Sequence, residues 1–160
     1  MSVRPKLRLE RTFDAPPKDV WDLWTTKDGI ESWMGPDGFI VSVSELDVRP
    51  GGALVYAMTA VGMDQVEYMT KAGMPLVTVQ KVRFVEVEPP RRLVYKDLAD
   101  FVPGVEPYEV ETIVEMHPTD GGTHLVLSFD AMHDYNWTEM SRLGRESELR
   151  KLEELLASRS

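Results

Sequence analysis

Residues 136–157 constrain the fold of this chain more than any other stretch, because they should form one long amphipathic helix. The segment has no proline and is rich in Leu, Glu, Arg and Lys, which favour helices. At about 100° per residue, the charged side chains lie opposite an apolar sector that contains Trp137, Met140, Leu143, Leu152, Leu155 and Leu156. Such a helix has to pack against a large apolar surface formed by the rest of the chain.

Three small residues interrupt the apolar side of this helix near its middle. They are Ser141, Gly144 and Ser147, and a glycine inside a helix costs roughly 1 kcal/mol relative to alanine. One interpretation is that the helix backbone approaches a sheet closely at this point. The other is that the small side chains leave room for a cavity between the helix and the sheet.

The preceding residues predict a series of strands. Lys6–Phe13 alternates polar and apolar residues with the period of a half-buried strand, and two short helices are predicted after it, at residues 18–25 and 27–33. Turns that contain Gly, Pro and Asp separate the later segments, and strands are predicted at residues 39–48, 53–61, 76–87, 92–97, 108–116 and 123–129.

Strands joined by hairpins, with helices gathered at two places, indicate an α+β fold. We therefore predict a single domain over residues 1–160, in which a curved antiparallel β-sheet of about six to seven strands grips the C-terminal helix. The periodicity does not decide which face of residues 39–48 and 76–87 is buried.

Two less regular segments lie between the predicted strands. Residues 62–75 contain Met63, Met69 and Met74, and we interpret them as an excursion between strands rather than a lid over a site. Gly73 could end a short helix within this excursion. Residues 101–107 form a loop with Pro and Gly.

Composition excludes several classes of function. The formal charge is 18 − 27 = −9, which argues against binding of nucleic acid or of an anionic membrane surface. The chain has no cysteine, and its first ten residues lack the apolar run of a signal peptide. No apolar run approaches the length of a membrane span. Together these features predict a cytoplasmic protein.

Motifs for metal, cofactor or nucleophilic chemistry are absent from the sequence. His117, His124 and His133 have no second ligand at a spacing typical of zinc sites, and there is no nucleophile elbow, P-loop or dinucleotide fingerprint. His133 and Asp134 are adjacent, and such a pair can orient a general base, but adjacent residues of this kind in a loop usually form a cap or a turn. We therefore predict no metal, no cofactor and no defined catalytic residue.

Asp97 is the most unusual single residue, because strand alternation places it on the same face as Leu93 and Tyr95. A carboxyl group in a cavity would have a raised pKa and could act as an acid or base. The alternative, which we favour, is that this end of the strand is solvated or that Asp97 pairs with an arginine. Aromatic residues from helices and strands could line that cavity. The predicted ligand-binding residues are Trp24, Trp33, Phe39, Tyr56, Tyr95, Asp97, Tyr108, Phe129, Trp137, Met140 and Gly144.

The chain resembles a known family at several short motifs in the same order. These are RTFDAP at residues 11–16 followed by Val20-Trp21, WMGP at 33–36, DVRPGG at 47–52, VEPPRRLVY at 87–95, and Trp137-Thr138 with Leu149 and Leu152. On these motifs it resembles the START-like (SRPBCC) helix-grip superfamily, and within it the family of activator of Hsp90 ATPase homologues. The resemblance implies a curved sheet that grips a long C-terminal helix, with a cavity between them.

The resemblance leaves three hypotheses for function. The leading one is binding of a small hydrophobic or aromatic ligand, such as a lipid, without defined catalysis. The alternatives are a co-chaperone-like module that binds a chaperone, and a cavity enzyme of the cyclase or hydrolase type that uses Asp97 with a tyrosine. The sequence leaves open whether the protein is a monomer or a homodimer.

Overall fold

The computed structural model describes residues 4–100 and 102–159, and its elements follow the predicted order. The helices are α1 (Pro17–Thr25), α2 (Lys27–Trp33), α3 (Met63–Lys71) and α4 (Tyr135–Ser158). The strands are β1 (Lys6–Phe13), β2 (Phe39–Leu46), β3 (Ala53–Ala60), β4 (Val77–Glu88), β5 (Arg92–Ala99), β6 (Tyr108–Thr119) and β7 (Gly122–Asp130).

The strands form a single seven-stranded sheet in the order β1-β7-β6-β5-β4-β3-β2, and every neighbouring pair is antiparallel. Each strand from β2 to β6 pairs with the next one along the chain, while β1 pairs with β7. The sheet curves around the helices, which lie on one of its faces. The predicted α+β helix-grip fold is confirmed, with seven strands.

The register decides the faces of β4 that its sequence left ambiguous. Val82 and Phe84 are buried together with the polar residues Thr78 and Gln80, whereas Val77 and Val79 point outward and are 48% and 47% exposed. The N-terminal half of this strand thus turns polar side chains inward and apolar ones outward, against the usual pattern.

The predicted apolar sector of α4 is wrong at Leu143, which is 56% exposed. It is confirmed in the second half of the helix, where Leu152 and Leu156 are buried together with Leu149. The inward-facing stripe continues towards the helix N-terminus through the half-buried residues Glu148, Arg145, Gly144 and Ser141, at spacings of one to four residues. These residues are small or charged, so apolarity alone does not identify all of the inward face in this half of the helix.

The two irregular segments differ in structure. Residues 62–75 contain the nine-residue helix α3, which ends before Gly73, a glycine with a φ of +71° as expected at a helix C-terminus. The Tyr68 hydroxyl lies 3.6 Å from the Met140 sulfur on α4. In the predicted loop 101–107, Phe101 lies outside the described residues and Val102 is buried.

Candidate ligand-binding cavity

A cavity of about 250 Å³ lies between the inner face of the sheet and α4. Its walls come from α1 and α2, from strands β3 to β7, and from the first half of α4. The predicted site residues that line it are Trp24, Trp33, Tyr56, Tyr95, Asp97, Trp137, Met140 and Gly144.

Two buried indole rings form the wall on the side of the short helices. Trp24 and Trp33 meet edge to face, with ring centroids 4.5 Å apart. The Trp24 Nε1–H donates a hydrogen bond to the Tyr95 hydroxyl at 3.3 Å, and the Trp33 Nε1–H donates to the Leu23 carbonyl at 2.7 Å. Because both indole N–H groups are hydrogen-bonded, the rings have fixed orientations and present apolar surfaces to the cavity.

The loop between α2 and β2 is fastened to α4 through Gly35. The Gly35 N–H donates to Glu148 Oε2 at 2.6 Å, and Lys151 Nζ donates to the Gly35 carbonyl at 2.7 Å. Gly35 has a φ of +93°, a conformation that favours glycine. The WMGP motif therefore closes one end of the cavity by binding the helix that the sheet grips.

Gly144 is not required for a close backbone approach. A methyl group at this position would meet the Cβ and Cγ atoms of Pro36 at 3.9 Å and 4.0 Å, which are ordinary van der Waals distances. Ser141 also lines the cavity, while Ser147 accepts a hydrogen bond from the Asp37 N–H at 2.9 Å. Of the two interpretations of these small residues, the geometry at Gly144 agrees with space for a cavity.

Asp97 lies on the cavity wall in an apolar setting. Its cross-strand neighbours are Val82 on β4 and Val110 on β6, and its Oδ1 atom has no hydrogen-bond partner. Desolvation raises the pKa of this carboxyl to about 6, although nearby Arg145 lowers it and Glu148 raises it further. The side chain keeps some accessible surface because it faces the cavity.

Two charged residues of α4 that sequence reasoning missed share this cavity. Arg145 Nη2 donates to the Thr112 hydroxyl at 3.0 Å, and its guanidinium lies 4.2 Å from the ring centroid of Phe129. Burial raises the pKa of Glu148, and the Gly35 N–H opposes that shift. Their spacing from Ser141 and Gly144 placed them on the same helix face, which was the available signal.

The phenol groups of the cavity are neutral at physiological pH. Desolvation raises the pKa of Tyr95 to about 12 and also raises the pKa of Tyr56, with a smaller contribution from the charge of Asp97. Both hydroxyl groups therefore keep their protons beside the Asp97 carboxyl.

Three predicted site residues lie outside this cavity. Phe39 begins β2 and packs beside Gly35, beyond the end of the cavity. The Tyr108 hydroxyl is hydrogen-bonded to His133 Nδ1 at 2.7 Å. Phe129 is fully buried beneath the Arg145 guanidinium. Each has the inward strand parity, but parity alone does not tell which inward residues are covered by another side chain.

The described residues offer neither a metal centre nor a spanning helix. No group of three or more His, Asp or Glu side chains among them could hold a metal ion. His133 is near Asp134, but Asp134 Oδ1 caps α4 by accepting from the Trp137 N–H at 2.8 Å. Within residues 4–100 and 102–159, no helix is both long and apolar enough to cross a membrane.

Comparison with known families gives one match over most of the chain. The family model described as Activator of Hsp90 ATPase homolog 1-like protein matches residues 14–157. None of the curated proteins matches the chain.

Solved structures share the fold at low sequence identity. A Chromobacterium violaceum protein is 24% identical, covers 94% of this chain and 96% of its own, and has a TM-score of 0.77. The AHSA1 protein of Silicibacter pomeroyi is 22% identical, with coverages of 98% and 100% and a TM-score of 0.74. A Mycobacterium smegmatis protein is 20% identical, with coverages of 97% and 92% and a TM-score of 0.74.

Proposed function

The chain belongs to the Activator of Hsp90 ATPase homolog 1-like family, and we propose that it binds a small aromatic or apolar molecule in the cavity between the sheet and α4. The observation that carries this proposal is the cavity itself. It is walled by fixed indole and phenol rings and contains only a few polar groups, which is the composition typical of small-molecule sites.

The size of the cavity limits the ligand. An apolar cavity of about 150 Å³ is large enough for benzene, so 250 Å³ suits one or two fused rings with small substituents. A long acyl chain would exceed this volume and would have to extend out of the cavity. The proposal therefore favours a compact ligand over an extended lipid.

The proposal assigns no reaction to the cavity. Among the described residues that line it, no hydrogen bond joins Asp97 to a hydroxyl group that could act as a nucleophile. Tyr95, the nearest neighbour along the same strand face, instead accepts a hydrogen bond from Trp24. Positioning a ligand is the role that this arrangement supports directly.

Native mass spectrometry of gently purified protein tests the proposal. We expect a folded species heavier than the denatured chain by the mass of one small molecule, or such a species after incubation with naphthol. Denaturation should release the added mass, which controls for covalent modification. A bare native mass that does not change with any compact aromatic compound would contradict ligand binding.

The family match favours a second candidate, a module that acts on a chaperone. It predicts that the purified protein raises the ATPase rate of a purified Hsp90, measured by phosphate release, whether or not the cavity is occupied. Under the leading proposal we expect no such stimulation. A heat-denatured sample of the protein is the matched control.

A further inference from the structure

The charged side chains that line the cavity differ in whether they form hydrogen bonds within the protein. Glu148 accepts the Gly35 N–H at 2.6 Å, and Arg145 donates to Thr112 at 3.0 Å while its flat face covers Phe129. Asp97 is different, because its Oδ1 atom is buried without any hydrogen bond. An acceptor left in this state costs free energy until a donor reaches it.

Neighbouring protein groups do not supply that donor. Along the sheet, Asp97 lies between Val82 and Val110, whose side chains have no polar atom. Across the cavity, Arg145 is held by Thr112 and Phe129. Asp97 lines the cavity, so a molecule that occupies the cavity can bring a donor to its carboxyl group.

The formal charges of the lining residues also favour a ligand with a hydrogen-bond donor over an anionic ligand. The cavity is lined by two carboxyl groups, Asp97 and Glu148, and by one guanidinium, Arg145. With both carboxyls ionised, the sum is one excess negative charge. A ligand carboxylate would add a further negative charge in a poorly solvated space, whereas a hydroxyl or ammonium group would not.

We propose that Asp97 is a specificity-determining residue, and that the ligand is a compact aromatic or alicyclic molecule that presents a hydroxyl or amine hydrogen to the Asp97 carboxyl. This inference rests on the proposed function and adds the chemical class of the ligand. The apolar body of the ligand contacts the Trp24 and Trp33 wall, and its donor group reaches the carboxyl group of Asp97 from the cavity.

A panel of ligands on one ring system tests the class by isothermal titration calorimetry. Naphthol and naphthylmethylamine carry a donor, methoxynaphthalene is the matched ether without a donor, and naphthoate is the matched anion. We expect the two donors to bind about 10- to 100-fold more tightly than the ether and the anion, which is the range for a hydrogen bond to a charged group.

The Asp97→Asn variant should remove this preference. The amide nearly matches the carboxyl in shape but carries no charge, so we expect the advantage of naphthylmethylamine over the ether to fall to within about threefold, because the charge-assisted bond is lost. Glu109→Gln, which removes an exposed carboxylate paired with Arg83 on the outer face, is the control and should keep the wild-type preference.

The outcomes separate the two proposals. The inference is supported if both donors bind the wild type more tightly than the ether and the anion do, and if naphthylmethylamine loses this advantage in Asp97→Asn. Equal binding of all four compounds to the wild type, or a preference for naphthylmethylamine over the ether that survives undiminished in folded Asp97→Asn, overturns the inference and leaves ligand binding intact. No binding of any compound, together with a bare native mass, overturns ligand binding and with it the inference. Thermal unfolding of the variant checks that it folds.

Discussion

Replacing Gly144 by leucine should weaken ligand binding strongly without unfolding the protein. The position has ordinary contact distances to Pro36 rather than a steric clash, and leucine is a much better helix former than glycine. The added side chain would occupy part of the 250 Å³ cavity. A ligand forced to share that space meets an overpacking cost of about 1–3 kcal/mol, which corresponds to roughly 10- to 100-fold weaker binding.

Gly144→Ala is the matched control for this prediction. A single methyl group meets Pro36 at 3.9 Å, so it fits without displacing a neighbour, and it should stabilise α4 by up to about 1 kcal/mol. We expect naphthol to bind this variant with nearly wild-type affinity in calorimetry, and urea unfolding to show the gain in stability. Wild-type affinity in Gly144→Leu would mean that the ligand does not lie beside α4.

The architecture could be predicted because the alternation of polar and apolar residues identifies the strands, and turn residues mark where they end. Lys6–Phe13 alternates cleanly and forms β1 with the predicted bounds. Asp97 was predicted to face inward from the parity of Leu93 and Tyr95, and it does so. These are local properties, since a strand's period of two fixes which side chains share a face.

The cavity could be predicted only in part, because its residues violate the same local rules. Gln80 is inward and polar while Val79 is outward and apolar, and on α4 the inward face carries Arg145 and Glu148. Sequence patterns that assume an apolar interior therefore misplace the face at this site. Such local inconsistencies are expected where a fold sets space aside for function.

Which inward aromatic residues reach the cavity depends on tertiary contacts. Phe129 faces inward but lies beneath Arg145, and the Tyr108 hydroxyl is occupied by His133. Neither contact has a signature at fixed sequence spacing, because the partners come from α4 and from the segment before it. The sequence therefore supplied the candidates, and packing selected among them.

The largest expected effect on stability is that Asp97→Asn stabilises the protein at neutral pH and not at acidic pH. The pKa of Asp97 is raised from 3.8 to about 6 in the folded protein. Between these two values the native state binds more protons than the unfolded chain, so the free energy of unfolding falls as the pH rises. A shift of this size corresponds to about 1–3 kcal/mol lost between about pH 4 and about pH 7.

Urea unfolding of both proteins at about pH 4 and about pH 7.5 measures this difference. At the lower pH the Asp97 carboxyl is protonated in the folded protein and resembles the amide, so the stabilities should be nearly equal. At the higher pH the wild type carries the desolvated charge, and Asp97→Asn should be more stable. Carboxylates elsewhere with lowered pKa values, such as Glu10 and Glu31, are common to both proteins and cancel in the comparison.

The groups that face Asp97 determine how this result is interpreted. Arg145 and Glu148 on α4, together with Tyr56 and Tyr95 on the sheet, are unchanged in the variant. The lower stability of the wild type at neutral pH is attributed to the unsatisfied charge of Asp97. If this is correct, saturating naphthylmethylamine should raise the free energy of unfolding of the wild type more than that of Asp97→Asn and reduce the difference between them. An equal gap at both pH values would instead show that Asp97 is well solvated and has an unshifted pKa in the folded protein, because a pH-independent difference cannot arise from a raised pKa.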